Sequence, residues 1–169
     1  MNHDDICARL PHAGRMCLLD RLESFDAESI HCRARSHRDA DNPLRRHGRL
    51  HAVIGVEYAA QAMALHGSLT AGPEVAPAMG YLASVRDLQL DTDDLSAVNE
   101  DLDIRARRLS GDGGGFIYEF DIHAGARRLS DRRSVGTLGG CSLRPADRDG
   151  IGRRKHCGRD IGSGPAATR

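Results

Sequence analysis

The segment spanning residues 52–69, AVIGVEYAAQAMALHGSL, constrains the fold more than any other part of the chain. Val53, Val56, Ala60, Met63, Ala64 and Gly67 recur at three- and four-residue steps, a spacing that predicts a helix. Four alanines lie between 59 and 64, so this helix is thin and apolar nearly all round. Such a helix suits burial inside a wrapping surface rather than a place on the outside. The Gly72-Pro73 and Pro77 positions that follow cannot continue it.

The flanking segments supply the wrapping surface. Ser29 to Arg35 alternates Ile30, Cys32 and Ala34 with polar residues, the period-two pattern of a strand with one buried face. Glu100 to Arg108 alternates Leu102, Ile104 and Ala106, and Phe116 to Ala124 places Phe116, Tyr118, Phe120 and Ile122 on one side. Met16 to Phe25, Met79 to Leu90 and Arg132 to Leu138 read as further extended runs, the last the weakest. Gly111-Asp112-Gly113-Gly114-Gly115 reads as a hairpin turn, since no Gly-Lys-Ser/Thr follows it as a phosphate loop requires. The order of elements predicts an α+β fold, with one long helix against a curved antiparallel sheet.

Composition sets the boundaries. Leu, Ile, Val and Phe are scarce, so the core leans on alanine and glycine. The 24 basic and 24 acidic groups cancel, which argues against binding nucleic acid or an anionic membrane through bulk charge. After residue 140 only Leu143, Ile151 and Ile161 are large and aliphatic, while basic groups outnumber acidic ones. The expected organisation is one domain over 1–140 and a disordered basic tail over 141–169. No apolar run is long enough to span a bilayer. The opening Met-Asn-His-Asp-Asp-Ile does not read as a signal peptide. Five cysteines, odd in number and without C-x-x-C spacing, suit free thiols in a cytoplasmic protein, with Cys17 and Cys32 as small buried apolar residues.

Glu57 is the candidate for chemistry. A carboxylate within an apolar helix is costly to bury unpaired, and burial lets it hold a proton near neutrality, as a general acid must. Gln61, four residues on, lies on the same face and can hold the carboxyl. The competing reading is an exposed Glu in the first helical turn, favoured by the macrodipole. His37, His47 and His51 crowd upstream as candidate proton acceptors. His47 and His51 have the spacing of two metal ligands on a helix, but Pro43 and Gly48 oppose a helix there, and no metal site is expected.

Several of these segments together resemble a known family. Leu10 to Arg21 (LPHAGRMCLLDR), Gly55 to Ala62 (GVEYAAQA) and Gly80 to Arg86 (GYLASVR) resemble the opening, catalytic helix and following strand of bacterial (3R)-hydroxyacyl-[acyl carrier protein] dehydratases. LPHAGRM, NPLR…GRL and the G-x-E-Y-x-A-Q-A helix are most similar to the variant group attached to aryl polyene pigment clusters. The resemblance covers roughly residues 8 to 138. It implies a hot-dog fold, a homodimer or a heterodimer with another hot-dog dehydratase, and dehydration of 3-hydroxyacyl thioesters held by an acyl carrier protein, without a cofactor. It also implies Glu57 as the acid, beside Gln61.

The family's histidine segment before the helix has no clean counterpart. His47 is the nearest substitute for the base, with His37 and His51 as alternatives. Gly55 is expected to help bind the thioester oxygen, Met63, Tyr81 and Leu82 to line the acyl channel, and Arg86, with Arg45, Arg46 and Arg49, to meet the carrier. A thioesterase, or a degenerate subunit supporting an active partner, would use the same scaffold.

Overall fold

The computed structural model describes residues 1–71, 80–112 and 115–140. Residues 141–169, read above as a disordered tail, lie outside the described residues, as do 72–79 and the tip of the glycine turn at 113–114.

Six strands form one antiparallel sheet: β1 (Arg21–Phe25), β2 (Ser29–Ala34), β3 (Gly80–Arg86), β4 (Leu102–Asp112), β5 (Gly115–Ala124) and β6 (Arg127–Gly140). Their order across the sheet is β1-β2-β4-β5-β6-β3. A short helix α1 (His3–Cys7) precedes the sheet, and the long helix α2 (Gly55–Thr70) follows β2. The helix packs against β2, β4, β5 and β6, so the sheet curls around it. This is the α+β layout expected from the sequence.

The period-two pattern places the core. Ile30, Cys32 and Ala34 of β2, Leu102, Ile104 and Ala106 of β4, and Tyr118, Phe120 and Ile122 of β5 are all buried. Register joins them across the sheet, with Cys32 opposite Ile104, Ile104 opposite Ile122 and Ala106 opposite Phe120. Phe116, expected on the same face, is only half-buried, and the Arg108 guanidinium sits over its ring at 5.6 Å. At β6 the sheet comes close to the helix. A Cβ on Gly136 would lie 3.0 Å from Met63 Cε and 3.3 Å from Leu82 Cδ1. Glycine there lets sheet and helix approach.

The face that α2 buries departs from the periodic positions that mark it as a helix. Tyr58, Ala59, Gln61, Ala62, Met63, Leu65 and His66 are buried, whereas Val56, Ala60, Ala64 and Gly67 are half-buried and Val53 is exposed. A helix apolar on all sides carries no contrast to orient it, so strand contacts decide which side turns inward.

The N-terminal segment folds onto the core. Asn2 and Asp5 form a capping box on α1. Ile6, Leu10, Leu18 and Leu19 are buried beneath it. Cys7 and Cys17 are joined as a disulfide, with Cα atoms 5.7 Å apart. This corrects the expectation of free thiols: the two lie ten residues apart without C-x-x-C spacing, and only the fold of α1 back onto the chain before β1 brings them together. Cys32 is free and buried, as expected, and burial pushes its thiol up to about 12.

Candidate active site

Gln61 organises the region. It is fully buried, and its amide bridges α2 to the segment before β1. The Leu18 N–H donates to Gln61 Oε1 at 2.8 Å, and Gln61 Nε2 donates to the Met16 carbonyl at 2.8 Å. A backbone N–H can only donate and a carbonyl can only accept, so these contacts fix which end of the amide is nitrogen. That nitrogen also donates to Glu57 Oε1 at 3.0 Å, the i,i+4 contact expected from the sequence.

The same Glu57 oxygen meets an imidazole. His12 Nε2 lies 3.2 Å from Glu57 Oε1. The two side chains keep 28% and 33% of their surface exposed, so the pair sits at the lip of the fold, not in a dry interior. Full burial of Glu57 is therefore not seen in the single chain. It occupies the first turn of α2, as the macrodipole favours, and is also clamped. His12 Nδ1 is buried and has no hydrogen-bond partner among the described residues, so the ring presents only its Nε2 edge to Glu57 and solvent.

His12 was not among the three histidines singled out from the sequence. The signal was present: His12 is the histidine of LPHAGRM, four residues before Met16, whose carbonyl Gln61 holds. The bridge from Gln61 pulls that segment over the helix and brings His12 to Glu57.

The other histidines have different roles. His47 is exposed at φ 50, beside Gly48 at φ 78. The Arg46 N–H reaches the Arg49 carbonyl at 2.8 Å and the Arg49 N–H reaches the Arg46 carbonyl at 3.0 Å. His47 and Gly48 are thus the two central residues of a tight turn with both φ values positive, and His47 is not the imidazole against Glu57 in the chain. His51 is exposed and forms a bridge with Asp94. His37 is fully buried, its Nε2 donating to the Val98 carbonyl at 3.2 Å, and burial holds its pKa below the ordinary value.

The expected binding residues are dispersed. The Gly55 N–H bonds the Ala52 and Val53 carbonyls, and the Ala52 and Ile54 N–H groups bond Asp93 and His51, so these donors are engaged within the chain. Met63 is buried and Leu82 half-buried, meeting at Gly136, but Tyr81 is 60% exposed. Arg45 holds the Gly48, His37 and Arg38 carbonyls, and Arg49 pairs with Asp94 at 2.9 Å. Both tie down the loop, and Arg49 does so while remaining exposed. Arg46 and Arg86 are exposed.

A groove of about 690 Å³ runs beside the site, lined by His3, Gly14, Arg15, Cys17 and Asn42 among others, and a small apolar pocket lies between Gly55 and Ile122. Neither has Glu57 or His12 in its wall. Among the described residues one group of three potential metal donors, His3, Cys7 and Cys17, lies within 4.8 Å, but its two sulfurs are joined to each other. No described helix is long and apolar enough to cross a membrane.

A single helix wrapped by an antiparallel sheet, with a clamped carboxylate in the helix's first turn, defines a hot-dog protein. Residues 5–134 match the model of the ApeP-like family, described as ApeP dehydratase, and the chain belongs to that family. It is a hot-dog dehydratase of the aryl polyene group. Among solved structures it is similar to a chain of the dehydratase heterocomplex ApeI:P from Xenorhabdus doucetiae (TM-score 0.73, 20% identity, 85% of this chain and 93% of that one). It is also similar to a thioesterase family protein from Silicibacter pomeroyi (TM-score 0.56, 16% identity, 81% and 93%). At these identities the likenesses speak for the fold. None of the curated proteins matches the chain in sequence.

Proposed function

We propose that the chain dehydrates 3-hydroxyacyl thioesters carried by an acyl carrier protein to trans-2-enoyl thioesters, with His12 as base and Glu57 as acid. The observation that carries this reading is the contact of His12 Nε2 with Glu57 Oε1 at 3.2 Å, braced by Gln61. The pair is reactive with one shared proton, the carboxyl protonated and the imidazole neutral. His12 Nε2 takes the α-proton, which the thioester carbonyl acidifies. Glu57 gives its proton to the β-hydroxyl, which leaves as water while the α,β double bond forms. The pair ends as imidazolium and carboxylate, and at this separation the proton returns from Nε2 to Oε1 directly. No step needs a metal or organic cofactor.

Donors for the thioester oxygen are not supplied by Ala52, Ile54 or Gly55 in the single chain, which supports a site completed by a second hot-dog subunit. The likeness to the ApeI:P heterocomplex makes a dehydratase partner of different sequence a candidate alongside a second copy. The edge strand β3, with Tyr81 exposed, offers a place for sheets to join. The exposed Arg46 and Arg86 are candidate cations for an acidic carrier. The presence of both proton-handling groups on this chain favours a working subunit over a degenerate one.

The assay is direct. Protein mixed with a 3-hydroxyacyl carrier-protein thioester, or its short N-acetylcysteamine analogue, yields absorbance of the conjugated enoyl product. Glu57→Gln lowers the rate on the order of a hundredfold or more. An unchanged rate removes Glu57 from the chemistry, and thiol release without an enoyl signal selects hydrolysis instead.

A further inference from the structure

The ring closed by Cys7 and Cys17 contains His12, five residues from each sulfur. Cys17 lies between Met16 and Leu18, the two residues that Gln61 grips while it holds Glu57. The state of this sulfur pair therefore acts on the segment that delivers the imidazole.

The surroundings of the pair are those of a thiol-exchange site. Cys7 is half-buried and Cys17 is 3% exposed, which suits one sulfur as the point of attack and the other as its resolving partner. His3 lies one helical turn before Cys7 on α1, with Nε2 3.4 Å from Cys7 Sγ. His3 Nδ1 is 2.8 Å from the Leu19 carbonyl. A carbonyl only accepts, so Nδ1 carries the proton and the lone pair of Nε2 faces the sulfur. A base so placed draws the proton from a Cys7 thiol and favours the thiolate. The open groove of about 690 Å³ is lined by His3 and Cys17 and reaches the sulfur pair from the Cys17 side, while Cys7 itself is only half-buried. The buried Cys32, its thiol pushed up to about 12, has no such help.

We propose that Cys7 and Cys17 form a redox-active dithiol–disulfide site, with His3 as the base for Cys7, that governs the position of the His12 loop. Oxidation uses a low-molecular-weight disulfide. The Cys7 thiolate attacks one of its sulfurs and releases the first small thiol. Cys17 then loses its proton and attacks Cys7 Sγ, releasing the second. Two protein thiols are oxidised, one small disulfide is reduced to two thiols, and no other electron carrier is needed. The closed ring holds His12 at Glu57; the open dithiol leaves residues 8–16 held by fewer constraints. The effect on turnover rests on the dehydratase reading, whereas the disulfide chemistry does not.

The test separates the two. Reduced protein is exposed to oxidised glutathione, alkylated and digested with trypsin. Cleavage after Arg9, Arg15 and Arg21 places Cys7 in residues 1–9 and Cys17 in residues 16–21. The expected product is the linked pair of these two peptides. His3→Gln slows its formation about tenfold near pH 7, and the difference vanishes above about pH 9, where the thiol ionises unaided. Across the same reaction the NMR signals of the His12 ring shift, and dehydration is severalfold faster in the oxidised protein. Cys7→Ser, at the half-buried position, fixes both readouts at the reduced level. The proposal is overturned if the linked peptide does not form, if reduced protein instead retains stoichiometric zinc, or if ring signals and turnover ignore the oxidation state. Lack of turnover in both states, with the linked peptide and the ring shift present, overturns the dehydratase reading alone.

Discussion

Glu57 Oε1 is met by two nitrogens, the amide Nε2 of Gln61 from its own helix and the imidazole Nε2 of His12 from a distant loop. Only the second can also give up a lone pair to a substrate. His12→Asn therefore lowers dehydration on the order of a hundredfold, as removal of a positioned base does. His47→Asn leaves the rate unchanged, since His47 sits at φ 50 in a turn that asparagine tolerates well. Enoyl absorbance for the two variants side by side decides between the histidines, and a loss confined to His47→Asn would return the base to the loop before α2. The Glu57–Gln61 contact was legible in the sequence because both residues lie in one helix at a fixed four-residue spacing. The imidazole that meets Glu57 was not, because 45 residues separate His12 from Glu57 and the link runs through hydrogen bonds to the main chain of Met16 and Leu18.

At the scale of elements, the strands were readable and the helix only in part. Period-two alternation fixes which side of a strand is buried, and Ile30, Cys32, Leu102, Ile104, Phe120 and Ile122 all fall where alternation puts them. In α2, Ala59 and Ala62 face the sheet while Ala60 and Ala64 are half-buried, and no pattern among alanines distinguishes them. Enlarging the inward side should force the sheet away. Ala59→Leu is expected to cost about 1–3 kcal/mol in chemical denaturation, the range for overpacking a close-packed core. Ala60→Leu changes stability by roughly 0.5 kcal/mol or less. Equal effects would mean that the helix is turned differently against the sheet.

Across the whole molecule, two buried histidines set the response to acid. His66 donates from Nε2 to the Asp26 carbonyl at 3.0 Å and its Nδ1 meets the Tyr118 hydroxyl at 2.8 Å, so the neutral ring is satisfied. Burial holds the pKa of both His37 and His66 below 6.5. In the unfolded chain these rings take up protons as pH falls through about 6.5; in the folded chain they resist. Stability is therefore fully present above that pH and declines below it, toward the depressed folded values. A melting temperature that falls between pH 6.5 and 5, with a shallower fall in His66→Gln, is the expected result. A flat profile would show that neither ring stays neutral in the fold.

The sequence by itself determined the layers, the strand faces and the pairing of Glu57 with Gln61, since each follows from a short repeat or a fixed helical offset. Tertiary structure alone decided which histidine meets Glu57, which side of an all-apolar helix turns inward, and that Cys7 and Cys17 join. Each of those depends on where distant segments land, and local side-chain periodicity carries no information about that.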